Sequence, residues 1–252
     1  MSRDSRHIYR DADALAKNAA DMLLRQAQQC VMEQGVFTVA LSGGSTPRKL
    51  YTLLGSDPAY RDFPWDKTHL FFGDERHVPP SHLDSNYLMV SNTLLASGLV
   101  PPGNVHRVRS ELPDANQASA DYDIELRMFF NSTLRLNGFP RFDVVLLGMG
   151  PDGHTASLFP GSKGLTEMER WVIANWVEKF NSFRITFTFP VLNAARAVFL
   201  LVAGADKADM VHAVLVSDAN SVNHPVQRVQ PVDGVKVWFL DQAAAAQLPK
   251  TY

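Results

Sequence analysis

His154 stands in LLGMGPDGHTASLFPG (146–161), two residues after Asp152 and among glycines at 148, 150 and 153. An imidazole with an ordinary pKa near 6.5 takes and returns a proton at neutral pH, and a carboxylate two positions back can orient its ring. A structural hydrogen bond is the plainer role for a lone histidine; the glycine-rich loop at the end of an apolar run is what points to chemistry. In LSGGSTP (41–47), Gly43 and Gly44 bare the backbone, Ser42, Ser45 and Thr46 offer hydroxyls, and Thr46 before Pro47 suits the N-cap of a helix. Amides and partial positive charge at such a helix start receive a phosphate, although a tight, well-capped turn would use the same residues. G-x-x-x-x-G-K-[ST] is absent and this stretch matches G-x-G-x-x-G no better, so a small phosphorylated molecule fits better than ATP.

A third stretch, GDERHVPPSHLDSNYLM (73–89), puts Asp74, Glu75, Arg76 and His77 directly after another apolar run. A solvated turn is the usual explanation of such a charge cluster. A metal site is the rival, and Asp74, Glu75, His77 and His82 lack the ligand spacing that would support it. Arg184 and Lys207 are isolated cations, exposed by default, each positioned to reach an anion.

The elements that must position these residues follow from hydrophobic period. Leu15, Ala19, Met22, Leu23, Ala27, Cys30 and Val31 recur at helical spacing behind Asp11, a suitable N-cap, and Gly35 stops that helix. Runs at 36–41, 69–73, 142–148, 184–189, 197–204 and 235–240 read as strands. Several are apolar on both faces, as strands of a parallel sheet are. Helices are expected near 86–97, 116–135, 206–216 and 241–248, with connections at 100–116 and 217–234. The alternation gives an α/β fold: a three-layer α/β/α sandwich around a mostly parallel, Rossmann-like sheet, formed by residues 1–252 as one domain. Ligands of such sheets sit outside the carboxyl ends of the strands, so the loops at 42–46 and 148–154 should line one edge.

Composition sets the outer limits. With 252 residues and 46% apolar content, the chain can bury about 70–75% of its unfolded surface. The net charge of -2, with acids and bases interspersed, gives no basic stripe for nucleic acid or anionic membrane. Cys30 is the single cysteine, which excludes internal disulfides and Cys-based zinc clusters and reads as a small buried hydrophobe. The polar start of the sequence and the lack of a long apolar segment point to a cytoplasmic protein with no membrane partner.

Taken together, LSGGSTP, GDERHVP with SNYLM, GMGPDGHTASLFPG and RITFTFPVLNAARAVFLLVAGADKADMV resemble the successive signature blocks of the 6-phosphogluconolactonase family, in order and at similar spacing. The likeness spans nearly the whole chain, including the tail HPVQRVQPVDGVKVWFLDQAAA. ASLFPG after the histidine and GDERHVP favour the lactonase branch over the related sugar-phosphate isomerases and amino-sugar deaminases. The turn before Arg184 departs from the family's Lys-Pro-Pro-like pattern, carrying Lys179, Phe180, Asn181 and Ser182. The resemblance implies hydrolysis of 6-phospho-D-glucono-1,5-lactone to 6-phosphogluconate without cofactor or metal. It further implies His154 as general acid/base with Asp152 behind it, and phosphate on Ser42, Gly43, Gly44, Ser45, Thr46, Arg184 and Lys207. Asp74 and Arg76 would lie at the substrate, Arg76 either on phosphate or on the developing oxyanion. An isomerase or deaminase on the same scaffold, with Asp74 as carboxylate base, is the alternative.

Overall fold

A computed structural model of the chain describes residues 4–130, 135–216 and 224–249. In chain order these form β1 (Asp4–Tyr9), α1 (Ala12–Gln34), β2 (Phe37–Leu41), α2 (Ser45–Ser56), β3 (Thr68–Phe72), β4 (Asp74–Arg76), α3 (Asn86–Thr93), β5 (Val105–His106) and α4 (Ala115–Phe129). They continue with β6 (Arg135–Leu136), β7 (Phe139–Pro140), β8 (Val144–Leu147), β9 (Val172–Val177), β10 (Ser182–Phe187), α5 (Phe189–Ala194), β11 (Ala197–Val202), α6 (Ala208–Leu215) and β12 (Val235–Asp241). Among the described residues, seven strands make one sheet in the order β1-β12-β11-β8-β2-β3-β5, every neighbouring pair parallel. The fold is the expected α/β sandwich around a parallel sheet.

The first helix forms as its signals require. Asp11 accepts the Ala14 amide at 2.8 Å, Gly35 ends the helix in the left-handed region (φ 79°), and Leu15, Ala16, Ala19, Ala20, Leu23 and Ala27 are buried. Small residues on that face let α1 lie close to the sheet. Cys30, half-buried on α1, has its thiol pushed up to about 12, by burial first and then by the charge of Asp143. The chain order reverses direction between β2 and β8: from β2 it proceeds to β3 and β5 on one side, and from β8 to β11 and β12 on the other. This switch point is where an open α/β sheet parts to receive a ligand. At its closed end, buried Asp143 accepts both the backbone N–H and the hydroxyl of Thr38 at 2.8 Å, clamping β2 to β8.

Two buried tyrosines hold the ends of the strands on the other side of the switch point. Tyr51, on α2, accepts the Ser42 N–H at 3.0 Å and donates to the Ser42 carbonyl at 2.9 Å. Tyr122, on α4, accepts the Phe72 N–H at 2.8 Å and donates within reach of the Phe72 and His106 carbonyls. A phenol both accepts and donates, so one hydroxyl satisfies backbone groups that the separating strands leave without ladder partners.

Several expectations are corrected. The strand at 184–189 is β10, antiparallel between β4 and β9 in a separate three-stranded sheet, so its apolar residues pack outside the parallel sheet. An N-terminal strand, β1, pairs with β12; its exposed, polar sequence gave no strand pattern. Residues 242–248 form turns, not a helix, although alanine-rich, because Asp241 takes the Ala244 amide and the Gly204 amide and draws the chain back to β11. The fourth helix ends at Phe129 with Phe130 as its C-cap, and Arg135, the last residue of the expected span, belongs to β6; residues 131–134, and residues 217–223 of the expected connection, lie outside the described residues.

Candidate active site

At the open end of the β2/β8 switch point lies a cavity of about 330 Å³. Its walls include Ser42 to Pro47, Asp74 and Arg76, Gly148 to Pro151, His154 to Ala156, and Asp206 with Lys207. Segments following four strands, β2, β3, β8 and β11, thus meet, bringing together Ser42, Gly43, Gly44, Ser45, Thr46, Asp74, Arg76, His154 and Lys207. Asp152 and Arg184 stand just behind the walls. A larger cleft of about 750 Å³ between residues 161–170 and 173–183 contains none of these side chains.

The turn after β2 differs from expectation in one respect. Gly44, not Thr46, is the N-cap of α2, with φ 111° and no side-chain hydrogen bond to the helix start. Only a residue without a Cβ adopts that backbone readily. The first intrahelical bond is Arg48 N–H to the Gly44 carbonyl, which leaves the Ser45 and Thr46 amides in the first turn uncapped at the cavity wall, and Pro47 has no amide to leave. An uncapped helix start opening on a cavity is an anion receptor. Opposite, Lys207 is only partly exposed and pairs with Asp206 at 2.9 Å.

On the loop after β8, the His154 Nδ1 lies 2.5 Å from Asp152 Oδ1, and the ring stacks on Phe159 at a centroid distance of 3.9 Å. Gly150 permits this: a Cβ there would come within 2.0 Å of the imidazole. Burial pulls the His154 pKa below its ordinary value, while the hydrogen bond and charge of Asp152 and the charge of Asp74 oppose the shift. For Asp152, burial pulls upward, but the hydrogen bond and charge of His154 and the backbone amides of residues 152 and 154 together outweigh it, and the carboxyl lies below its usual range. Lys179, on the turn between β9 and β10 that departs from the family pattern, reaches the other Asp152 oxygen at 3.5 Å. Ala156, in the cavity wall, has φ 47°, a strained conformation for alanine of the kind that collects at functional sites.

Arg76 and Arg184 face each other across the β4/β10 ladder. The Nε of each is buried without a hydrogen-bond partner, although Arg76 also donates through Nη1 to the Asp84 carbonyl and Arg184 lies over the Phe180 ring at 5.0 Å. Burial, then the like charge of Arg76, push the Arg184 pKa down, with Asp74, Asp84 and Glu75 opposing. Asp74 accepts the Ser157 hydroxyl at 2.6 Å, while buried Glu75 takes the Arg76, Asn86 and Tyr87 amides and so caps α3. Among the described residues, no three His, Cys, Asp or Glu side chains are grouped to hold a metal ion. Sequence reasoning passed over Tyr51, Tyr122, Ser157, Phe159 and Asn86; Asn86, inside SNYLM, and Ser157 and Phe159, inside ASLFPG, lay in stretches already marked, and the two tyrosines read as ordinary core residues.

The profile of the glucosamine-6-phosphate isomerase/6-phosphogluconolactonase family matches residues 10–238. A 6-phosphogluconolactonase of Nostoc sp. is 42% identical over 238 residues, covering 94% of this chain and 95% of that protein. Among solved structures, the devB protein superimposes with a TM-score of 0.88 at 33% identity, over 98% of this chain and 100% of that one. The 6-phosphogluconolactonase of Trypanosoma brucei does so with a TM-score of 0.86 at 28% identity, over 98% and 99%. With a family match over most of its length, and with that family's loops converging on one cavity, the chain belongs to the glucosamine-6-phosphate isomerase/6-phosphogluconolactonase family.

Proposed function

We propose that the chain, as one lactonase domain over residues 1–252, hydrolyses 6-phospho-D-glucono-1,5-lactone to 6-phosphogluconate, the second step of the oxidative pentose phosphate pathway, with His154 as the proton carrier. The observation that carries this reading is the convergence of an oriented histidine and an uncapped helix start on one cavity of sugar-phosphate size. With Nδ1 directed at Asp152, Nε2 is the nitrogen left to accept a proton from water. That water attacks C1, and the protonated ring then gives its proton to the ring oxygen as the tetrahedral intermediate collapses. No bond to the protein forms. A δ-lactone is an activated ester, so acid/base help of about 10²- to 10⁴-fold together with positioning is adequate.

The phosphate sits on the turn from Ser42 to Thr46, with Lys207 exchanging Asp206 for the dianion. Arg76, in the cavity wall, stabilises the developing oxyanion by its charge, and Arg184 adds positive potential from behind it. The partner in this reading is the phosphorylated sugar lactone, with no nucleic acid or membrane, and the protein works in the cytoplasm. No described helix is long and apolar enough to cross a membrane.

The test is a coupled assay with freshly made lactone, corrected for spontaneous opening, beside an ammonia-release assay with glucosamine 6-phosphate. Turnover of the first and not the second is expected. The reverse outcome would assign the chain to the deaminase branch.

A further inference from the structure

We propose that Asn86 is a positioning residue that couples the glycine turn of the phosphate end to the Asp74 carboxylate, so that one buried carboxamide sets both sides of the cavity. The proposal deepens the lactonase reading and rests on it. Asn86 is the first residue of α3 and is 1% exposed. Its backbone is fixed by Glu75, whose Oε1 accepts the Asn86 amide at 2.7 Å. Its side chain is fixed separately: Nδ2 donates to the Asp74 carbonyl at 2.8 Å and lies 3.4 Å from the Asp74 Oδ1.

The other end of the carboxamide has no such partner. Asn86 Oδ1 is buried without a hydrogen bond, a state that costs desolvation and calls for an explanation. The amide cannot be turned around, because the Asp74 carbonyl only accepts and must be met by the NH₂ group. What Oδ1 touches is Gly43: a Cβ on that residue would stand 2.0 Å from Oδ1 and 2.7 Å from Cγ. The carboxamide therefore fills the space that a side chain at 43 would need. The turn can settle at its present height only over this group, and Asp74 keeps its orientation only while the group stays. Ser157 holds the second Asp74 oxygen from the opposite side, so the carboxylate is fixed from two directions. Bare backbone at position 43 thus has a second reason besides ligand access.

The experiment compares Asn86→Ala, Asn86→Asp, Gly43→Ala and the double variant Gly43→Ala/Asn86→Ala in steady-state lactone hydrolysis and in thermal unfolding. Gly43→Ala should lower kcat/KM by at least about 10-fold, because the methyl group displaces either the turn or the carboxamide. Asn86→Ala should lower kcat by about 10-fold through a loosened Asp74. The double variant should be no worse than Asn86→Ala within about 3-fold, since the methyl then enters vacated space; such rescue is the sign of direct coupling. Where Gly43→Ala alone fails to fold, recovery of folded protein in the double variant is the same rescue. Asn86→Asp keeps the shape beneath Gly43 and loses the donor, so kcat should fall while KM stays near normal. Multiplicative losses in the double variant, or Asn86 variants that lower Tm while kcat and KM stay at wild-type values, would overturn the coupling in an active lactonase. Absence of lactone turnover by the unaltered chain would overturn the underlying reading as well.

Discussion

Asp152 Oδ1 and His154 Nδ1 lie 2.5 Å apart, and that contact opposes the effect of burial on the imidazole. A general base must be neutral to work, so kcat/KM should rise with pH through the His154 pKa. Burial lowers that pKa, which places the acidic limb below the position expected of a free histidine. Asp152→Asn removes a carboxylate that stabilises the imidazolium, and the limb should move further toward acid while the maximal rate falls. A pH profile of kcat/KM for the two proteins checks this; a limb that moved toward alkaline pH would contradict the assignment.

His154→Ala should reduce kcat by about 10²- to 10⁴-fold, the usual contribution of positioned proton transfer, with product affinity near normal. Kinetics with fresh lactone and calorimetric titration of 6-phosphogluconate provide the two readings. Ordinary turnover would remove His154 from the mechanism.

Lys207 stands in the cavity wall and Arg184 behind Arg76, so their losses should differ. Lys207→Ala should raise KM for the phosphorylated lactone by about 10-fold or more, the loss of one charge-assisted contact, and leave the unphosphorylated lactone unaffected. Arg184→Ala should weaken the phosphorylated substrate less. Equal preference ratios in wild type and both variants would disprove the phosphate assignment.

Tyr51→Phe leaves the Ser42 N–H and carbonyl buried and unsatisfied, at about 1–3 kcal/mol for each group. Tyr122→Phe does the same to the amide of Phe72. Both variants should unfold at lower urea concentration, and Tyr51→Phe should in addition raise KM, because Ser42 begins the turn that receives the phosphate. Unchanged unfolding midpoints would mean that water replaces the phenols without loss.

Much of this was legible in the residues themselves. Asp11 and Gly35 bound the first helix, and the apolar runs ending at Leu41, Phe72, Leu147 and Val202 became neighbouring strands whose loops meet. Local signals of this kind are written in period and capping. Arg184 was harder: its strand looked like any other apolar run, and only tertiary pairing with β4 puts it beside Arg76. Thr46 followed by Pro47 mimics a cap, yet the positive-φ backbone of Gly44 starts the helix two residues earlier. Tyr51, Tyr122 and Asn86 act on groups distant in sequence, through contacts that no spacing rule encodes.

The clamp between Thr38 and Asp143 joins positions 105 residues apart, and the cavity opens between the very strands it binds. Closing so long a stretch of chain is slow compared with winding helices or pairing β2 with β3. During refolding from denaturant, regained lactone hydrolysis should therefore trail the helical circular dichroism signal, since the site exists only once the two halves of the sheet have met.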